Sequence, residues 1–129
     1  MSDLIEDIED SLIDLSDDGY EIKVKSDENH FMIDVINRPS EKLEYIKRCL
    51  SQSYYYAELH GYEIIRVSID ADRKPIEVKP LDKDKYDLVD RKFRDWEDLW
   101  NSIDFCLFRS SYDPDYFYRM QLHFRKKVD

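Results

Sequence analysis

Two carboxylates and a lysine have residue types and spacing that suit metal-dependent chemistry. Asp70 lies at the end of one alternating segment, and Glu77 and Lys79 follow in the next one. Because strand residues two positions apart face the same side, a hairpin of these segments places all three residues on one polar face. Carboxylate oxygens are ligands that divalent cations prefer, and a bound cation can activate water. Asp70, Glu77 and Lys79 therefore form the candidate catalytic group of this chain.

The same residues resemble the motif of the PD-(D/E)xK nucleases, in which an acid is followed across a hairpin by E-x-K. This resemblance implies that Asp70 and Glu77 hold a divalent metal and that Lys79 orients the attacking water. It covers residues 70–79, and no proline precedes Asp70. A solvated sheet face would show the same pattern, because 39% of the chain is charged. A metal-dependent nuclease is therefore the alternative hypothesis.

Other residues that often carry chemistry are poorly spaced for it. No two histidines have the spacing of zinc ligands, and the two cysteines each fall on an apolar helical face, as buried free thiols would. With two glycines in the chain, a glycine-rich phosphate loop and a nucleophile elbow are excluded. We therefore expect no cofactor and no structural metal, and we favour a protein that is not an enzyme.

The net charge of −10 is concentrated at the start of the chain. Residues 1–18 contain eight acids and no lysine or arginine, whereas the remainder has 20 basic and 22 acidic residues. A protein that wraps a phosphate backbone would show the opposite bias, so direct nucleic-acid binding is disfavoured.

The acids at the start of the chain share one side of a predicted helix over residues 3–17, opposite an apolar stripe. The predicted binding residues on this side are Asp3, Glu6, Asp7, Asp10 and Asp14. Such a side suits solvation, docking to a partner with a basic surface, or mimicry of a nucleic acid.

A second predicted helix, over residues 41–60, carries more tyrosine than a core needs. Tyr55 lies off the apolar side of this helix, and Tyr45 and Tyr56 flank that side. Tyrosine is amphipathic and frequent at interfaces. We therefore add these three residues to the predicted protein-binding surface.

The chain is predicted to form one α+β domain over residues 1–129 with the element order α-β-β-α-β-β-α-β. Most strands alternate between apolar and polar residues, with Ile65, Val67 and Ile69 on one face of the third strand. This pattern predicts a two-layer structure with a mostly antiparallel sheet and helices on one face. The open strand edges permit a homodimer. Residues 80–91 read as a flexible charged connector.

Two similar helix-to-strand junctions organise this order. Gly19-Tyr20-Glu21-Ile22 and Gly61-Tyr62-Glu63-Ile64 contain the two glycines, each placed where a left-handed residue would end a helix. An offset of 42 residues also superimposes the apolar stripes of the preceding helices. An internal repeat of residues 1–37 and 40–79 is one interpretation, and two similarly capped helices are the other. A third helix-strand unit covers residues 93–125.

Residues 5–20, ending in Asp17-Asp18-Gly19-Tyr20, resemble small acidic proteins of tailed bacteriophages, in which an acidic helix leads through D-x-G-[YF] into a strand. The resemblance implies no activity, and it favours a virus-encoded accessory protein or an inhibitor of host defence. The chain shows neither a basic leader nor an apolar run long enough to cross a membrane. We therefore predict a non-enzymatic protein-interaction domain in the cytoplasm, which is the host cytoplasm if the protein is viral.

Overall fold

The computed structural model describes residues 2–12, 20–24, 29–36, 43–82, 87–88, 92–110 and 117–128. The helices are α1 (Ser2–Leu12), α2 (Leu43–Leu59) and α3 (Trp96–Ser110). The strands are β1 (Tyr20–Val24), β2 (His30–Ile36), β3 (Tyr62–Ala71), β4 (Lys74–Val78), β5 (Leu81–Asp82), β6 (Asp87–Leu88) and β7 (Arg119–Lys126). The predicted α+β class and the order of its main elements are confirmed. No helix in these ranges is long and apolar enough to span a bilayer.

The last strand of the chain lies at the centre of the main sheet. The strand order is β1-β2-β7-β3-β4, and every neighbouring pair is antiparallel. Within the sheet, the two hairpins β1-β2 and β3-β4 are therefore joined by β7, which pairs with β2 on one side and with β3 on the other. β1 and β4 are the outer strands, where a second copy could pair; the homodimer stays a prediction.

One face of this sheet forms the core together with the helices. Phe31, Ile33 and Val35 of β2 are buried opposite Phe124, Leu122 and Met120 of β7. The apolar sides of all three helices belong to the same buried cluster. The alternation predicted for these two strands follows from this arrangement, because residues two apart contact the helices and those between them face away.

The prediction that Ile65 faces the core is wrong. The register between β3 and β7 shifts between Ile64 and Arg66, so Ile65 is the extra residue of a β-bulge and is 42% exposed. Tyr62 and Ile64 are buried before the bulge, and Val67 and Ile69 are buried after it. After an inserted residue, the pattern of core-facing residues shifts by one position along the strand. A prediction from regular alternation does not include this shift.

The junction between α2 and β3 has the predicted left-handed glycine. Gly61 has a φ of +82°, and a Cβ at this position would meet nothing within 4 Å. Its requirement for glycine is therefore conformational and not steric. Its N–H donates to the carbonyl of Glu58 at 3.0 Å, which ends the helix. The equivalent Gly19 lies outside the described residues.

Helices α1 and α2 contact each other through residues that the predicted repeat makes equivalent. The hydroxyl groups of Ser11 and Ser53, which are 42 positions apart, lie 2.7 Å from each other. A contact between equivalent residues is what a local two-fold relation between the helices would produce. The internal repeat stays a prediction.

The start of α3 and the connector before it differ from the prediction. Helix α3 begins at Trp96 and not at residue 93, because the Asp95 carboxylate accepts a hydrogen bond from the N–H of Asp98 at 2.8 Å and caps the helix. The predicted connector over residues 80–91 contains a short antiparallel ladder, in which Leu81 pairs with Leu88 and Asp82 with Asp87. A two-residue strand is too short to produce a periodic pattern, so the sequence could not indicate it.

Candidate binding surfaces

The acidic side of α1 is largely open to solvent. Asp3, Glu6 and Asp10 are exposed, as is Glu9, which is not one of the predicted binding residues. Asp7 is partly buried, and its carboxylate lies 3.3 Å from Nε2 of His60. Asp14 lies outside the described residues. Three of the predicted binding acids are therefore placed where a partner could contact them.

The contacts between α1 and α2 establish the relative direction of the two helices. Asp7 contacts His60 and Ser11 contacts Ser53, so α1 runs antiparallel to α2. Because Ser11 lies opposite Ser53 and Asp7 lies opposite His60, α1 lies beside the C-terminal half of α2.

The C-terminal half of α2 carries two large exposed side chains. Tyr55 is 60% exposed and Leu59 is 62% exposed, and their spacing of four residues places them next to each other on the outer side of the helix. Tyr45 and Tyr56 are half-buried and pack against the core, although the Tyr56 ring lies 5.8 Å from the ring of Tyr55. Sequence reasoning missed Leu59, which the i, i+4 spacing from Tyr55 could have indicated. We call Tyr55 and Leu59, with the exposed acids Asp3, Glu6 and Asp10, the α1/α2 surface.

The predicted catalytic residues lie on two adjacent strands of the polar sheet face. Glu77 is opposite Ser68, and Asp70 is opposite Pro75, so the two acids are diagonal neighbours across β3 and β4. Lys79 follows β4 directly and is exposed. Sequence reasoning thus placed the two acids correctly on neighbouring strands of a hairpin.

The surroundings of Glu77 suit an ion pair better than a metal site. Its Oε1 lies 2.8 Å from Nε of Arg66, and its Oε2 accepts a hydrogen bond from Ser68 at 2.9 Å. Both carboxylate oxygens therefore already have partners. By contrast, Oδ1 of Asp70 is buried and has no hydrogen-bond partner among the described residues. In the described part of the chain, no three His, Cys, Asp or Glu side chains are grouped closely enough to hold a metal ion.

An ion pair between a buried aspartate and a half-buried arginine on the same sheet face was not predicted. Asp34 of β2 is 1% exposed, and its Oδ1 accepts a hydrogen bond from Nε of Arg119 at 2.8 Å, while its Oδ2 accepts one from Nη2. This two-point contact links β2 to β7. The alternation of both strands placed Asp34 and Arg119 on polar faces, but their contact depends on the pairing of strands 85 positions apart.

Two potential nucleophiles are held in their neutral forms. Burial raises the pKa of the Cys106 thiol and that of the Tyr54 hydroxyl, and the Glu58 carboxylate raises the pKa of Tyr54 further. A thiol of raised pKa in apolar surroundings is unreactive at neutral pH. These residues therefore support packing and offer no nucleophilic site.

Glu63 organises a cluster of cations at the other end of the polar sheet face. Its Oε1 lies 2.9 Å from Nζ of Lys92 and 3.3 Å from Nη2 of Arg125. The hydrogen bond from Lys92, with the charges of both cations, lowers the pKa of Glu63 below its usual value. Glu63 therefore stays ionised at neutral pH and holds the two cations side by side.

Comparisons of this chain with known protein families, curated protein sequences and solved structures found no match.

Proposed function

We propose that this protein is a non-enzymatic protein-interaction domain that binds a basic partner through the α1/α2 surface. One observation carries the proposal: Tyr55 and Leu59, about 60% exposed, lie on the half of α2 that packs against α1, and α1 carries the exposed acids. Large exposed apolar side chains bordered by charge are typical of binding sites in soluble proteins. The acids would attract the partner, and the apolar pair would bury surface against it.

The charge of the molecule supports the same kind of partner. Residues 1–18 contribute eight negative charges and no positive ones, in a chain of net charge −10. These charges would attract a basic protein surface over about one Debye length, and this length is about 8 Å at physiological ionic strength. The likeness of residues 5–20 to tailed-phage proteins favours a partner in the host cytoplasm.

Charge reversal on α1 tests this proposal. A partner is captured from lysate with the tagged protein, identified, purified, and titrated against wild-type protein and against the double variant Glu6→Lys, Asp10→Lys. Both residues are exposed, so the fold is retained while the attraction is removed. We expect the Kd to rise by about tenfold or more, and wild-type binding to weaken with salt.

The matched control reverses two exposed acids away from α1, one in the first turn of α2 and one in the first turn of α3. The variant Glu44→Lys, Glu97→Lys changes the net charge equally, and we expect its Kd to stay within about twofold of wild type. Equal losses in the two variants would show a general charge effect and contradict the proposed surface. Displacement of the partner by excess DNA would instead indicate nucleic-acid mimicry.

A metal-dependent nuclease is the second candidate, and the buried, unpartnered oxygen of Asp70 is the observation that favours it. A bound cation would satisfy this oxygen, with Glu77 as the neighbouring ligand after Arg66 moves away. This candidate predicts cleavage of DNA or RNA with Mg²⁺ or Mn²⁺ that Asp70→Asn and Glu77→Gln each abolish. Cleavage that persists in either variant, or without metal, would identify a contaminating enzyme.

A further inference from the structure

A cavity of about 340 Å³ opens where the bulge of β3 meets the end of β4. Ile65 and Arg66 border it on β3, Glu77 and Lys79 on the hairpin partner, and Lys92 and Phe93 on the segment before α3. The cavity also reaches Arg125 of β7. A volume near 300 Å³ is at the lower end of the range for small-molecule sites.

The lining of this cavity is cationic, although the protein is acidic. Four positive side chains line it, Arg66, Lys79, Lys92 and Arg125, against one lining carboxylate, Glu77. This local excess of positive charge occurs in a chain with a net charge of −10. Glu77 and Glu63, which lies next to the lining, offset two of these four charges, and the remaining positive charge favours an anion.

Neighbouring carboxylates hold three of these cations in place, and each of the three cations keeps N–H groups that the carboxylates do not use. Arg66 uses Nε for Glu77, and Arg125 uses Nη2 for Glu63, so further N–H groups of both guanidinium groups remain for a ligand. Lys92 is 69% exposed beyond its contact with Glu63. The held cations are therefore presented to the cavity at little further cost in side-chain entropy.

Lys79 is the cation best placed to respond to a ligand. Its side chain is exposed, and among the described residues no carboxylate lies within ion-pair distance of its ammonium group. Its backbone directly follows β4, next to the buried Val78. An ammonium group that forms no ion pair with a described residue can pair with a bound anion.

From this arrangement we infer that the cavity, which we call the cationic pocket, binds the phosphate group of a small phosphorylated molecule. Lysine and arginine side chains around one point are the usual donors to a phosphate dianion. Phe93 and Ile65 offer apolar surface for the organic part of such a molecule. The overall negative charge disfavours a long polyanion, whereas a compact dianion meets mainly the local positive charge.

Calorimetric titration with adenosine 5′-monophosphate and with adenosine, at low ionic strength, tests this assignment. We expect saturable binding of the monophosphate at least about tenfold tighter than that of adenosine, because the phosphate forms the charge-assisted contacts. Inorganic phosphate should compete. Equal binding of the two ligands, or no binding of the monophosphate, would overturn the assignment.

Two single substitutions place the binding in the cationic pocket. Lys79→Ala and Lys92→Ala should each weaken monophosphate binding by about fivefold to tenfold, whereas Lys74→Ala, an exposed cation at the other end of β4, should change it by less than about twofold. Unchanged melting temperatures would show that the fold is kept, since all three lysines are exposed. Binding that survives both pocket substitutions contradicts the proposed site. Tighter binding of a single-stranded oligonucleotide than of the monophosphate contradicts a small-molecule ligand.

Discussion

Replacing Arg119 by methionine is expected to lower the free energy of unfolding by about 3 kcal/mol, because it leaves the carboxylate of Asp34 buried without its counter-charge. Asp34 is 1% exposed and receives two hydrogen bonds from Arg119. Methionine retains the aliphatic volume of arginine, so the loss reports the charge and not a cavity. Urea unfolding followed by tryptophan fluorescence measures the effect.

A matched control for this substitution is Arg66→Met, which removes an arginine from an exposed ion pair on the same sheet face. Arg66 and Glu77 lie 2.8 Å apart but are 58% and 42% exposed, so we expect a loss below about 1 kcal/mol. The double variant Asp34→Asn, Arg119→Gln should recover part of the loss, because no buried charge remains. If Arg119→Met and Arg66→Met lowered the free energy of unfolding by similar amounts, the burial of Asp34 would not make its ion pair more stabilising than an exposed one.

Much of the fold could be predicted because the strongest patterns are local. The alternation in β2 and β7 and the glycine that ends α2 each arise within about ten residues of chain. The central position of β7 could not be predicted, since nothing within Arg119–Lys126 distinguishes a central strand from an outer one. The bulge at Ile65 was missed for the same reason, because a bulge depends on the register with a partner strand.

The binding surfaces show a similar limit. Exposure of the acids on α1 and of Tyr55 follows from helical periodicity alone. The cationic pocket combines residues of β3, β4 and β7 with Lys92. Because these residues are far apart in the sequence, no local pattern indicates that they form a cluster. The ion pair of Arg66 with Glu77 also depends on hairpin register, and it weakens the catalytic interpretation of Glu77 that the spacing of E-x-K favoured.

The two proposed sites use opposite charges on opposite layers of the molecule. The α1/α2 surface belongs to the helical layer and is acidic, whereas the cationic pocket opens beside the polar face of the sheet. Because charge interactions in salt fall off over about a Debye length, each site can attract its own ligand. A basic protein partner would be repelled by the cationic pocket and a phosphate by α1, so each site selects against the ligand of the other.

Replacing Phe124 by alanine is expected to cost about 4 kcal/mol of unfolding free energy, because Phe124 joins the two halves of the sheet. Its ring stacks on that of Phe31 in β2, with centroids 4.7 Å apart and planes 5° from parallel. On the other side it lies opposite Ile64 of β3. Since β7 pairs with a strand of each hairpin, a cavity here weakens both strand pairs at once.

The same chemical change at an exposed position gives the control for this substitution. Phe108, at the end of α3, is 74% exposed, and Phe108→Ala should change stability by less than about 0.5 kcal/mol. A two-state denaturant transition that shifts strongly for Phe124→Ala and hardly for Phe108→Ala would confirm that the sheet unfolds as one unit around β7. If Phe124→Ala instead produced two separate transitions, the β1-β2 and β3-β4 hairpins would be independently stable, and the central role of β7 would be wrong.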